Sequence, residues 1–200
     1  GFEVSVNNGD TIHCKFLVVS AGTYSLHLAQ TMGKGKHFSV LPISGSFYFA
    51  PEVLNGKVYT VQNPKLPFAA VHGDPDMTKT GVTRFGPTAL MLPVLERFNS
   101  KTALGFMESF HFSTGTAKTL FHLMKDKDIR EFIYKNIGYE IPVHGKKSFL
   151  KEVLKIVPSM KLDDLDFADH TTGVRPQLID EKNAELLMGA AKFSDGDGVI

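Results

Sequence analysis

A single cysteine, Cys14, leaves the chain unable to close an internal disulfide, which suits a reducing compartment. Set in an alternating segment, Cys14 reads as a small core residue. No run approaches the roughly 20 apolar residues needed to cross a bilayer, and the first residues are not a secretory signal, so any membrane contact is expected to be peripheral. Charge of one sign is also lacking. The 22 lysines and arginines face 21 aspartates and glutamates, with no basic tract, and no nucleic-acid partner is expected. No Gly-x-Gly-x-x-Gly follows a strand, and there is no P-loop, Gly-x-Ser-x-Gly or cysteine cluster. Apart from His72, the histidines are His13, His27, His37, His111, His122, His144 and His170; none has metal-ligand spacing, so no metal is expected.

What is present is a chain of 200 residues, 42% hydrophobic, long enough to bury a core of its own. Its most informative stretch is Val61 to Leu90. An apolar run from Leu66 to Val71 delivers His72, a Gly-Asp-Pro-Asp turn follows, and a second run from Val82 to Leu92 carries Arg84 ahead of Gly86-Pro87. Two extended segments joined by a turn make a hairpin-like ledge, and a base and a cation at its end suit a small acid. An ordinary hairpin with a surface histidine and a solvated arginine fits the same spacing.

Before it, Phe2, Val4 and Val6 alternate with polar residues and Asn7-Asn8-Gly9-Asp10 turns the chain into a second strand, Ile12 to Val19. That strand becomes continuously apolar at Phe16 to Val19, as a buried strand would. It runs into Ser20-Ala21-Gly22-Thr23 and a helix from Tyr24 to Met32 ended by Gly33. Small residues at such a turn either present backbone N–H groups to a cofactor or simply permit tight packing. Phe38 to Phe49 and Lys57 to Val61 then read as strands, with Asn55-Gly56 as a hairpin signal between them. Without intervening helices they make an antiparallel or mixed sheet.

Phe98, Phe106, Phe110 and Phe112 suit either a core or a pocket. Apolar spacing predicts a helix over Thr116 to Ile137, broken around Asp126 to Asp128, and another from Ser148, a candidate cap, to Val157 before Pro158. The lysines dotting these helices suit a solvated face or an anionic lipid surface. Thr172-Gly173-Val174-Arg175-Pro176-Gln177-Leu178 follows an acidic run, and Ala184 to Ala190 reads as a further strand. The guanidinium fork of Arg175 matches a carboxylate, whether a substrate's or that of Asp163, Asp164, Asp166 or Asp169.

The run Asn63 to His72, Phe85-Gly86-Pro87, Gly45 to Phe49, Lys57 to Val61 and the Gly-x-Arg-x-Gln element at Gly173 to Gln177 resemble flavin-dependent 2-hydroxy-acid oxidoreductases. The malate:quinone group is the nearest and the L-2-hydroxyglutarate oxidases the next. The resemblance covers essentially the whole chain but only the middle of such an enzyme. The chain starts inside a strand pattern and stops at Val199-Ile200, so it is expected to be a fragment.

The fold this implies is α+β. A mixed or antiparallel substrate-binding domain with packed helices, residues 38–170, is flanked by part of a Rossmann-like FAD-binding module at 1–37 and by return strands at 171–200. The resemblance further implies FAD as cofactor, with Ser20, Ala21, Gly22 and Thr23 at its edge, a small 2-hydroxy dicarboxylate as substrate, and quinone as electron acceptor. His72 would be the base and Arg175 the carboxylate clamp. Arg84, where related enzymes often have an apolar residue, is placed as a second cation by its charge and position alone. The implied location is the cytoplasm, peripheral on the cytoplasmic membrane. A non-catalytic isolated domain is the competing reading.

Overall fold

The computed structural model describes residues 1–63, 66, 70–141, 144–169 and 172–187. It is α+β, and every described strand pairing is antiparallel.

A two-stranded hairpin, β1 (Phe2–Ser5) and β2 (Thr11–Cys14), opens the chain and turns as its Asn-Gly-Asp sequence dictates. The long buried strand expected to follow does not form. β2 ends at Cys14, and Phe16 and Val18 are exposed while Leu17 and Val19 are half-buried, so only one side of this run is covered. A 3-10 turn over Gly22–Tyr24 then leads into the short helix α1 (Ser25–Thr31), which ends at Gly33 in the left-handed region that glycine tolerates.

Two larger sheets follow, each with its own core. The first has the order β11 (Glu185–Leu186), β10 (Gly173–Asp180), β3 (Phe38–Gly45) and β8 (Leu90–Met91). All eight residues of β3 are buried, which is why the segment is apolar without alternation. Pro42 and Pro176 face each other in the β3–β10 register, and the Pro42 carbonyl accepts from the Leu92 N–H at 3.2 Å. Leu41, Ile43 and Ile179 pack with Leu26 of α1 and with Phe106 of α2 (Ala103–Ser109). The return segment expected at 171–200 therefore shares a sheet with β3 through β10 and β11. The strand expected at Ala184 to Ala190 is β11; residues 188–190 lie outside the described residues.

The second sheet runs β5 (Val58–Tyr59), β6 (His72–Pro75), β7 (Val82–Gly86), β4 (Tyr48–Pro51) and β9 (Asp166–Phe167). Its core face carries Tyr48, Ala50 and Phe85 against Phe149 and Val153. The expected Asn55-Gly56 hairpin is corrected here: β5 pairs with β6, and β4 with β7 and β9. Long-range pairing overrode the local turn signal.

Helices α3 (Thr114–Lys125) and α4 (Lys127–Tyr139) meet at Asp126, as the sequence predicts. The Asp126 carboxylate accepts from the Asp128 and Ile129 N–H groups and so starts the second helix where the first ends. Helix α5 (His144–Val153) begins earlier than expected. Ser148 lies inside it and caps nothing.

Candidate functional site

β6 and β7 form the hairpin ledge, with one correction: Gly73, Asp74 and Pro75, expected as its turn, lie in β6, so His72 begins the first strand and the chain turns over residues 76–81; Pro64, Lys65, Pro67, Phe68 and Ala69 lie outside the described residues. Register places His72 opposite Gly86 and Asp74 opposite Arg84. Side chains two apart along a strand share a face, so His72, Asp74 and Arg84 stand together on the side opposite Phe85 and its core. Tyr59 of β5 faces His72 in register, with ring centroids 4.9 Å apart.

His72 is only 7% exposed. Its Nδ1 lies 3.2 Å from the Ala70 carbonyl oxygen, which can only accept, so Nδ1 carries the proton and Nε2 keeps its lone pair. Burial lowers the pKa below the ordinary histidine value, and the Ala70 bond only partly offsets it. The result is a neutral imidazole in the tautomer a general base requires.

Arg84 is engaged elsewhere. It donates to Asp74 at 3.1 Å, lies 3.6 Å from Asp76 and covers the Phe47 ring at 4.8 Å. The Asp76 carboxylate also accepts from the Thr78 hydroxyl and from the Thr78 and Lys79 N–H groups, and these bonds hold its pKa low. The guanidinium expected as a second substrate cation is thus already neutralised by two carboxylates of this chain. Sequence placed the charge correctly but not its partners.

Arg175 lies on β10 of the other sheet, opposite Ile43, and is exposed. Its side chain makes no ion pair or hydrogen bond with a described residue, so the alternative of a bridge to Asp163, Asp164, Asp166 or Asp169 is not realised. His72 and Arg84 therefore share one sheet while Arg175 stands on its neighbour.

Of the four residues expected at a cofactor edge, Ser20, Ala21 and Gly22 are exposed, and Gly22 adopts the left-handed conformation. The Ala21 N–H is taken by the Ser25 hydroxyl at 2.9 Å. Thr23 is buried, and its hydroxyl donates to the Leu95 carbonyl at 3.0 Å. With the Ala21 N–H engaged, these residues do not by themselves make a pyrophosphate grip. The described residues hold no cluster of histidine, cysteine, aspartate or glutamate able to bind a metal.

Sequence reasoning missed a second group. Arg97 and Glu140 form a 2.6 Å ion pair with side chains only 9% and 19% exposed, linked to Ser44, Ser46 and Thr88. No motif marks them, for they come together only across the fold. Phe106 and Phe110 serve both purposes weighed for them: they are buried, and with Phe112, Met91 and Leu120 they line an apolar cavity of about 430 Å3. Phe98 is exposed.

The antiparallel α+β chain thus carries a buried neutral histidine on one sheet and an exposed arginine with no partner among the described residues on the other. The chain is 46% identical over 201 residues to the malate:quinone oxidoreductase of Helicobacter pylori, covering 99% of this chain and 44% of that protein. It is 45% identical over 201 residues to the probable malate:quinone oxidoreductase of Campylobacter jejuni, covering 100% of this chain and 45% of that protein. A more distant likeness, 25% over 182 residues, is to the mitochondrial L-2-hydroxyglutarate dehydrogenase of Nematostella vectensis, covering 87% of this chain and 36% of that protein. No family model matches the chain. The chain spans less than half the length of the curated relatives it matches.

Proposed function

We propose that this chain is the substrate-binding part of a longer flavoprotein that oxidises (S)-malate to oxaloacetate and passes the electrons to quinone. The observation that carries this reading is the likeness, along almost the whole chain, to proteins named malate:quinone oxidoreductase. In this reading residues 38–170 bind substrate, and residues 1–37 and 171–200 adjoin a Rossmann-like FAD-binding module.

Bound FAD would supply the hydride acceptor, with Ser20, Ala21, Gly22 and Thr23 along one margin of it. The residues of this chain do the rest. Nε2 of His72 removes the hydroxyl proton of the substrate, for which burial keeps the imidazole neutral. Arg175 forms a paired contact with a substrate carboxylate and so fixes which carbon faces the base. Arg84 stays with Asp74 and Asp76, holding the ledge on which His72 stands. Location at the cytoplasmic face of the membrane by peripheral contact completes the reading. It is compatible with the absence, among the described residues, of any helix long and apolar enough to cross a membrane.

The test is flavin reduction in the full-length protein with (S)-malate and with L-2-hydroxyglutarate, for wild type, His72→Ala and Arg175→Ala. Malate is expected to be the faster substrate, and each substitution to cost about 100-fold or more. Preference for 2-hydroxyglutarate would keep the roles and change the substrate. Unchanged rates in both variants would sink the site assignment.

A further inference from the structure

The crossovers that join the two larger sheets meet at one place. Three successive carbonyls, from the last residue of β3 through the turn to β4, are taken by three donors from the other crossovers. The Gly45 carbonyl accepts from the Thr172 hydroxyl at 2.6 Å, that of Ser46 from the Thr88 N–H at 3.0 Å, and that of Phe47 from the Ala168 N–H at 2.9 Å. Thr88 lies between β7 and β8, and Ala168 and Thr172 between β9 and β10. The chains approach so closely that a Cβ at Gly45 would collide with Pro87 and the Thr88 carbonyl.

Glu140, at the C-terminal end of α4, closes this junction. Its Oε1 accepts from the Thr88 hydroxyl at 2.7 Å and the Ser46 hydroxyl at 3.0 Å, while Oε2 accepts from Arg97 Nη2 at 2.6 Å. The Ser46 N–H in turn donates to the Thr88 hydroxyl oxygen at 2.8 Å. Arg97 also reaches the Ser44 hydroxyl at 3.3 Å. Taking a carboxylate and a guanidinium out of water is costly, and well-packed apolar side chains would often be as stable; what such a pair adds is a defined geometry.

That geometry lies between the two proposed site residues. His72 pairs with Gly86, two residues before Thr88, and Arg175 pairs with Ile43, two residues before Gly45. A short bonded path from the base to the cation therefore passes through Thr88 and Ser46, the two hydroxyls that Glu140 binds.

We propose that Glu140 is a positioning residue. By tying Thr88, Ser46 and Arg97 together it holds the sheet of His72 and the sheet of Arg175 at the spacing one substrate requires. The inference rests on the assignment of His72 as base and Arg175 as carboxylate clamp in the proposed function.

Flavin reduction by (S)-malate in the full-length protein tests it, with Glu140→Ala, Glu140→Gln and the milder Thr88→Val beside His72→Ala and Arg175→Ala. A displacement of about 1 Å between base and clamp is expected to cost on the order of 100-fold in kcat. The carboxylate still meets Arg175, so KM should change less than about threefold. In Glu140→Gln the amide oxygen still accepts from the two hydroxyls but the NH2 faces Arg97 and cannot accept from it, so its kcat should lie between those of Glu140→Ala and wild type. Thr88→Val should lower kcat, again with little change in KM. If Glu140→Ala does not fold, Thr88→Val decides alone. A lowered melting temperature with wild-type kinetics in the folded variants, or a rise in KM without loss of kcat, overturns the inference. Loss in His72→Ala and Arg175→Ala without loss in the Glu140 and Thr88 variants overturns it while leaving the functional reading standing. No loss in any variant overturns both.

Discussion

Arg84 and Asp74 face each other across the β6–β7 hairpin, and the guanidinium donates to the carboxylate at 3.1 Å on the same face as His72. The pair fastens the strand that carries the base to its neighbour. Asp76, whose side chain is 1% exposed, lies 3.6 Å from the same guanidinium. Removing Arg84 leaves two carboxylates close together without their cation.

Arg84→Ala is accordingly expected to act on stability first. With Arg84 28% exposed the loss is about 1–2 kcal/mol, well below that of a fully buried pair, and urea unfolding measures it. The malate KM of the full-length protein should rise less than about threefold, against more than about tenfold for Arg175→Ala. Equal rises in the two variants would return Arg84 to the substrate.

The lowered pKa of His72 has a defined pH signature. The unfolded chain takes up the imidazole proton near pH 6.5, while the native state takes it up only at a lower pH because burial disfavours the charge. Between those values the unfolded state binds more protons, so the contribution of His72 to stability is complete above about pH 6.5 and is lost as pH falls through the native value. Unfolding free energies of wild type and His72→Gln should therefore converge on acidification. The acid limb of kcat/KM should likewise lie below pH 6.5 and vanish with His72.

Gly115, in the first turn of α3, sits where a Cβ would collide with the Glu181 backbone. Backbone cannot swing aside as a side chain can, so Gly115→Ala is expected to cost about 1–3 kcal/mol despite the better helix propensity of alanine. A melting temperature equal to or above that of wild type would contradict the close helix–strand approach.

Asp126→Ala removes the acceptor for the Asp128 and Ile129 N–H groups at the α3–α4 junction. The expected loss is about 1 kcal/mol, with Asp126→Asn retaining most of the stability because its carbonyl oxygen still caps. Chemical unfolding of the three proteins checks the order.

Local chemistry made some of this legible in sequence. The Asn-Gly-Asp turn, the glycine stop after α1 and the break at Asp126 each depend on neighbours a few residues away, and each is found where it was read. The same locality misled at Asn55-Gly56, where β5 joins β6 instead of β4, and at Ser148, which resembles a cap but lies within α5. At Phe16 to Val19 an apolar run suggested a buried strand, but Phe16 and Val18 are exposed and only Leu17 and Val19 are partly covered.

By itself the sequence determined that a histidine stands on a hairpin ledge, though it read the Gly73-Asp74-Pro75 strand as a turn, that an arginine lies within the Gly-x-Arg-x-Gln strand and that a charge sits at position 84. Tertiary structure alone decided which of these charges is free. Arg84 meets Asp74 because antiparallel register sets them face to face, Arg175 meets no described partner, and Glu140 reaches Thr88 across 52 residues of chain. An ionised side chain takes its role from whatever charge or dipole lies within a few ångströms, and that distance is set by strand pairing between remote segments, which no local pattern records.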